Sequence, residues 1–250
     1  MNRKPEKLTF QRDSNPGPGV FDADAGWAFK KILESKDSSD SARMGMFHTS
    51  QNLNTLAPDG WLDDEVMNSL FYALYSCNQD RMHYFNPLVY SLLTGHKYDY
   101  KTFEGYADDV VLSSKDFIFF IINVDNMHWI LAVAVVSTQK ILLLDSFGCM
   151  SREVRRLEII KRFLEDCGKH RPAETKLDVN WKLEVVNPGE TTFPAQFDGY
   201  NCGLHVYAVA DRILAQGSAT KIFPVSGYNS SSMIQLRKHA KEALEKLSLC

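Results

Sequence analysis

Three side chains in this 250-residue chain have the types and placement that a thiol nucleophile requires: Cys202, His128 and Asp145. Attack by cysteine needs a thiolate, a base that holds and returns the proton, and a group that orients the base. Cys202 follows a polar loop, Gln196-Phe-Asp-Gly-Tyr-Asn201, and opens the apolar run Gly203-Leu-His-Val-Tyr-Ala-Val-Ala, which reads as a helix. A helix N-terminus offers unsatisfied amides and the positive end of the macrodipole, both of which favour a thiolate. Gly203, with no Cβ, is expected to let a substrate carbonyl approach the backbone. The other thiols are less suited. Cys77 and Cys167 fall at the C-ends of predicted helices, Cys149 follows a turn with no helix behind it, and Cys250 is terminal.

His128 opens the apolar run Trp129–Val136, and Asp145 closes Ile141–Leu144; the polar residues 137–140 lie between. The two runs read as an antiparallel hairpin in which His128 and Asp145 are nearly equidistant from the turn and face one another. A register slip of two residues would separate them by about 7 Å, part of which side chains at splayed strand ends recover. An acid beside an imidazole fixes its tautomer and steadies the imidazolium. His205, three residues after Cys202, is the competing base; it lacks an evident orienting acid and also reads as a packed residue. Each member has an ordinary structural reading too: a histidine at a strand start, an aspartate in a turn, a cysteine in a core. A metal site on Cys202-x-x-His205 lacks a second ligand pair, and no metal is expected.

The elements that must position these residues follow from periodicity. Leu62, Val66, Leu70, Phe71 and Leu74 recur at helical spacing behind the acids of Trp61-Leu-Asp-Asp-Glu, which suit a helix N-terminus. Asn86-Pro87 starts a second helix and Gly95 ends it. Phe117–Ile122, Trp129–Val136, Ile141–Leu144 and Trp181–Val186 are predicted strands, and helices are predicted over 152–166, 203–215 and 231–247. Helices before and after a central, mostly antiparallel sheet make an α+β domain over residues 46–250. Residues 1–45 read as an arm, with turn-forming Asn15-Pro-Gly-Pro-Gly19, a polar loop 35–41 and a short amphipathic helix around Ala28–Leu33.

Composition narrows the function classes. A net charge of −3 gives no basic footprint for nucleic acid. Five cysteines, an odd number without paired spacing, argue for a reducing compartment. No secretory segment is visible in the first residues, and the longest apolar runs are too short to span a bilayer. The expectation is a soluble intracellular monomer of the nucleus or cytoplasm, or of a host cell if the chain is a secreted effector.

Four blocks, in order, resemble the Ulp/SENP family of ubiquitin-like-protein proteases, the clan that includes the adenoviral protease. They are G-W-L-D-D-E (60–65), M-H-W (127–129), L-D-S-F-G (144–148) and Q-F-D-G-Y-N-C-G (196–203). The resemblance implies a papain-like fold of the Ulp/adenain type, with Cys202 as nucleophile, His128 as base and then acid, and Asp145 as orienter. It implies Gln196 as a side-chain donor to the oxyanion, and Trp61 and Trp129 as walls of a narrow tunnel for a Gly-Gly tail, a role that can coexist with the core packing both tryptophans also allow. Asp64 matches an acid that contacts the modifier, or serves as a first-turn helix acid. The implied activity is cleavage after the C-terminal Gly-Gly of a ubiquitin-like modifier, SUMO foremost and ubiquitin or another modifier next, without a cofactor. An acetyltransferase on the same triad and a non-catalytic modifier-binding module are the alternatives. Two positions depart from the family pattern: Asp63 stands where Asn is frequent, and Asn201 where Asp is common.

Overall fold

The computed structural model describes residues 51–95, 97–107, 110–148, 151–172, 176–178, 180–189, 193–217, 219 and 230–248. The arm expected over residues 1–45, with its helix, lies outside them. In chain order the main elements are α1 (Asp64–Asn78), β1 (Met82–Phe85), α2 (Pro87–Gly95), α3 (Tyr100–Phe103), β2 (Phe117–Val124) and β3 (His128–Val135). They continue with β4 (Lys140–Leu144), α4 (Arg155–Lys169), β5 (Lys182–Val186), α5 (Cys202–Gln216) and α6 (Ser230–Ser248).

The five strands lie side by side in sequence order. The two central pairs, β2–β3 and β3–β4, are antiparallel, as the sequence predicts. The two outer pairs, β1–β2 and β4–β5, are parallel, so the α+β fold is built on a mixed sheet. Parallel neighbours need a crossover connection, and α4 supplies it between β4 and β5. Between β2 and β3 the chain turns through Asp125 and Asn126, whose φ of 54° and 56° lie in the left-handed region that short polar side chains tolerate. That turn delivers His128 as the first residue of β3, across from Val124.

Helices cover both faces, which is why β2 and β3 are continuous apolar runs rather than alternating ones. Phe119, Ile121, Trp129, Leu131 and Val133 pack into one core with α1, α5 and α6. Ile118, Phe120, Ile122, Ile130 and Ala132 pack into a second core with α2 and α4. Twelve of the fifteen residues of α5 are buried, so this helix lies at the centre of the first layer, between β3 and the pair α1 and α6. Helix α1 begins where Asp63 accepts a 2.8 Å hydrogen bond from the Val66 amide. A carboxylate fills this N-cap role as well as an Asn.

Candidate active site

The segment Asp145-Ser-Phe-Gly148, which leaves β4, organises half of the site. Oδ1 of Asp145 accepts from Nε2 of His128 at 2.7 Å and from the Phe147 amide at 2.9 Å, so the acid is held by its own turn while it holds the imidazole. The Phe147 ring lies over the His128 ring, centroids 4.9 Å apart. The Ser146 hydroxyl donates to Oε1 of Gln196 at 2.8 Å, and its carbonyl accepts from the Gln196 amide at 2.8 Å. Gly148 closes the turn at φ 87°, a conformation that favours glycine. The β3–β4 register, Leu131 opposite Leu144, sets Asp145 across from Ile130 rather than His128. The two side chains close that two-residue offset because Asp145 has already left the strand.

Opposite stands the loop before α5. Asp198 accepts from the amides of Tyr200 (3.1 Å) and Asn201 (2.8 Å) and from the Asn201 side chain (2.8 Å). Burial works against the charge on this carboxyl, but those hydrogen bonds outweigh it and hold its pKa below the ordinary value. Nε2 of Gln196 donates to the Asp198 carbonyl at 2.7 Å. The Gln196 amide group is thereby fixed at both ends, with Ser146 on its oxygen and Asp198 on its nitrogen. Cys202 is the first residue of α5, 7% exposed, and Asn201 contributes no side-chain cap. The dipole of α5 therefore ends at the thiol.

His128 is the point where the two halves meet. Burial alone would lower its pKa, but hydrogen bonding to Asp145 and Cys202 and their negative charges prevail and raise it to about 9. Nε2 is engaged by Asp145, and Nδ1 is buried without a hydrogen bond of ordinary geometry. Nδ1 is the nitrogen left for the Cys202 thiol, and such contacts are commonly loose in a site without substrate. The competing His205 is different: it is 3% exposed, and burial depresses its pKa to about 4 against the opposing charge of Asp198. It is a neutral, packed side chain one turn into α5.

The substrate-side residues separate. Trp61 is 54% exposed, whereas Trp129 is 3% exposed and donates its indole N–H to the Leu62 carbonyl at 2.8 Å. Trp129 thus belongs to the core and fixes the segment that presents Trp61. Asp64 occupies the first turn of α1; burial raises its pKa, opposed by a hydrogen bond from Asn123 and reinforced by Glu65 and Asp63. Gly203 departs from expectation. A Cβ there would lie 3.0 Å from Leu62 Cδ1 and from the Met67 sulfur, so its bareness admits core side chains rather than a substrate carbonyl. Among the described residues no group of three or more His, Cys, Asp or Glu side chains is arranged to hold a metal ion. No described helix is long and apolar enough to cross a membrane.

Asp198, which shapes the Cys202 loop, and Phe147, which lies over His128, stand inside the blocks 196–203 and 144–148, but neither has a role that those blocks alone assign. Asp198 had a legible signal, because an aspartate two and three residues before amides at a helix entry is a capping pattern.

Comparison with known proteins adds an independent finding. Residues 60–250 match the profile of the Ulp1 protease family, C-terminal catalytic domain. The chain is 30% identical over 176 residues to Ubiquitin-like-specific protease 1A of Arabidopsis thaliana, a stretch covering 65% of this chain and 34% of that protein. It is 28% identical over 204 residues to Ubiquitin-like-specific protease ESD4 of the same plant, covering 77% and 39%. The chain therefore spans well under half the length of these curated relatives. In three dimensions it resembles the SUMO protease Ulp1 with its catalytic cysteine oxidised to a sulfinic acid, with a TM-score of 0.66 at 19% identity over 96% of this chain and 99% of that one. The Ulp1 protease domain in complex with Smt3, the yeast ortholog of SUMO, gives 0.63 at 20% identity over 92% and 97%. At these identities the likeness speaks for the fold.

Proposed function

The chain belongs to the Ulp1 protease family, and from that premise we propose that it is a cysteine protease domain cleaving after the C-terminal Gly-Gly of a ubiquitin-like modifier, SUMO foremost. The observation that carries the reading is the 2.7 Å hydrogen bond between His128 and Asp145, formed beside a cysteine at a helix N-terminus. The curated relatives are ubiquitin-like-specific proteases by name, which supports the substrate class.

In this reaction the Cys202 thiolate attacks the carbonyl carbon of the last glycine, and the His128 imidazolium, steadied by Asp145, protonates the departing amine. The oxyanion is received by the Cys202 amide and by Nε2 of Gln196; each such donor contributes about 2.7–4 kcal/mol in the transition state. The resulting thioester is hydrolysed when His128, now neutral, draws a proton from water. The exposed Trp61 indole offers a flat wall that a tail without side chains can lie against.

Incubation with C-terminally reactive probes made from SUMO, ubiquitin and related modifiers tests this. The wild type is expected to form an adduct with the SUMO probe that Cys202→Ala abolishes. An adduct with ubiquitin alone would reassign the modifier. No adduct with any probe, from protein shown to be folded, would sink the reading.

A further inference from the structure

Arg237, on α6, is a buried cation that none of the steps above uses. It is 3% exposed, yet all five of its N–H groups are engaged. Nε donates to Oδ1 of Asn201 at 2.9 Å, and one Nη2 bond goes to the Tyr200 carbonyl at 3.1 Å. The other three reach carbonyls of a distant segment: Thr55 at 3.2 Å, Ala57 at 2.9 Å and Gly60 at 2.8 Å. One planar group thus joins the two residues preceding Cys202 to the residues preceding Trp61.

The segment 55–60 is shaped to receive it. A Cβ at Gly60 would lie 2.2 Å from the Thr55 carbonyl oxygen, so only glycine allows three carbonyls to crowd around one guanidinium. The acceptors are all neutral. Burial acts against the charge and Asp198 is the leading group that supports it, with Cys202 among the more weakly acting ones. A buried charge without a directly bonded carboxylate is a poor device for stability alone, since apolar packing serves that end as well or better. What five fixed donors supply is geometry.

We infer that Arg237 is a positioning residue for the reaction: it sets the Trp61 wall at a fixed distance from the Cys202 loop, so that a tail lying against Trp61 presents its carbonyl to the thiol. The inference rests on the proposed function for its substrate, but the placement of Cys202 is measurable without one. Lysine at 237 keeps the charge and has three donors in place of five, so it cannot fill all five acceptors of the two segments. A carboxylate at 201 would give that shorter cation a charged partner and draw the Cys202 loop back to it.

The test compares the full chain as wild type, Arg237→Lys, Asn201→Asp and the double variant. It reads kcat and KM on a fluorogenic C-terminal SUMO derivative with active sites titrated, and the rate of Cys202 alkylation by iodoacetamide, located by mass spectrometry. A misplacement of an ångström can cost about a hundredfold, so folded Arg237→Lys is expected to lose about ten- to a hundredfold in kcat, with KM changed less than about threefold. Its Cys202 alkylation slows by at least about threefold, and the double variant regains about fivefold or more of kcat, a coupling that independent sites do not show. A purely structural arginine would lower the melting temperature while titrated enzyme kept its kcat; that result overturns the inference, as does a double variant no better than Arg237→Lys. Should Arg237→Lys fail to fold, Asn201→Ala removes one acceptor and is expected to lower both kcat and alkylation; wild-type values for both overturn the inference. A wild type that ignores every modifier probe defeats the proposed function instead, and the alkylation rates still decide the role of Arg237.

Discussion

The two faces of the sheet are made of different material. Among the described residues, the buried polar and charged side chains are Ser69, Asn78, Ser146, Gln196, Asn201, His205, Asp211, Ser232 and Arg237. Each lies on α1, α5 or α6 or in the loops that meet at Cys202. The opposite face, under α2 and α4, is closed by aromatic and aliphatic side chains; there Phe85 stacks on Phe120 at 4.7 Å and meets Phe163 edge-on at 5.3 Å. Burying a polar group is unfavourable unless it is bonded, so the concentration of buried polar and charged side chains on one face shows where the fold gives up stability for placement. One face supplies stiffness to the sheet, and the other uses that stiffness to hold a site.

That division can be attacked from both sides, and the largest effect belongs to the polar face. Asp145→Asn should lower kcat/KM by about a thousand- to ten-thousandfold, as loss of an orienting acid does in comparable triads, with the fold retained. It should also change the pH profile. Because the His128 pKa is raised to about 9, the imidazolium persists at neutral pH, and kcat/KM should fall on an alkaline limb near that value. Removing the Asp145 charge should move this limb to lower pH. The same shift makes a stability statement: the His128–Asp145 interaction is fully present below the unfolded value of about 6.5 and is lost as pH rises through about 9. Thermal unfolding of the wild type should show that loss, and Asp145→Asn should not.

Next in size, Phe163→Ala on the apolar face should destabilise the protein by about 3–5 kcal/mol in denaturant titrations, while folded, active-site-titrated enzyme keeps its kcat. A change in kcat would break the division of labour. Gln196→Ala should cost about a hundred- to a thousandfold in kcat, with KM little changed. The smallest effect is expected at Phe197, which is 93% exposed beside Gln196. Phe197→Ser should raise KM for a modifier about three- to tenfold through lost apolar contact, with kcat and melting temperature unaltered. An unchanged KM would exclude this ring from the modifier surface.

Much of this was legible in the sequence because local chemistry dictates it. The runs that became β2, β3 and β4, the start of α5 at Cys202 and the hairpin that brings Asp145 to His128 all follow from periodicity and turn residues. Strand β1 did not show itself. Met82–Phe85 has four residues, and its parallel pairing with β2 depends on a partner more than thirty positions away. Arg237 was opaque for a related reason. In an amphipathic helix beside Lys238 and Lys241 it reads as one more solvated charge, and its acceptors Thr55, Ala57 and Gly60 lie up to 182 residues earlier. Gly203 misled because a bare backbone position looks the same whether substrate or a leucine occupies the space. Trp61 and Trp129 looked equivalent in sequence, and the alternation of β3 against α1 and α5 is what packs Trp129, while Trp61 stays exposed.

The burial of α5 on nearly all its sides has a consequence for how the thiol responds to motion. Amide hydrogens along Leu204–Leu214 can exchange with solvent only when the layers around the helix separate, so their exchange should follow the opening of the domain as a whole rather than local fraying. Cys202 is mounted on that slow-exchanging rod. Loops around it can breathe on fast timescales while the sulfur keeps its place, and a perturbation that loosens the sulfur's seat loosens the protein.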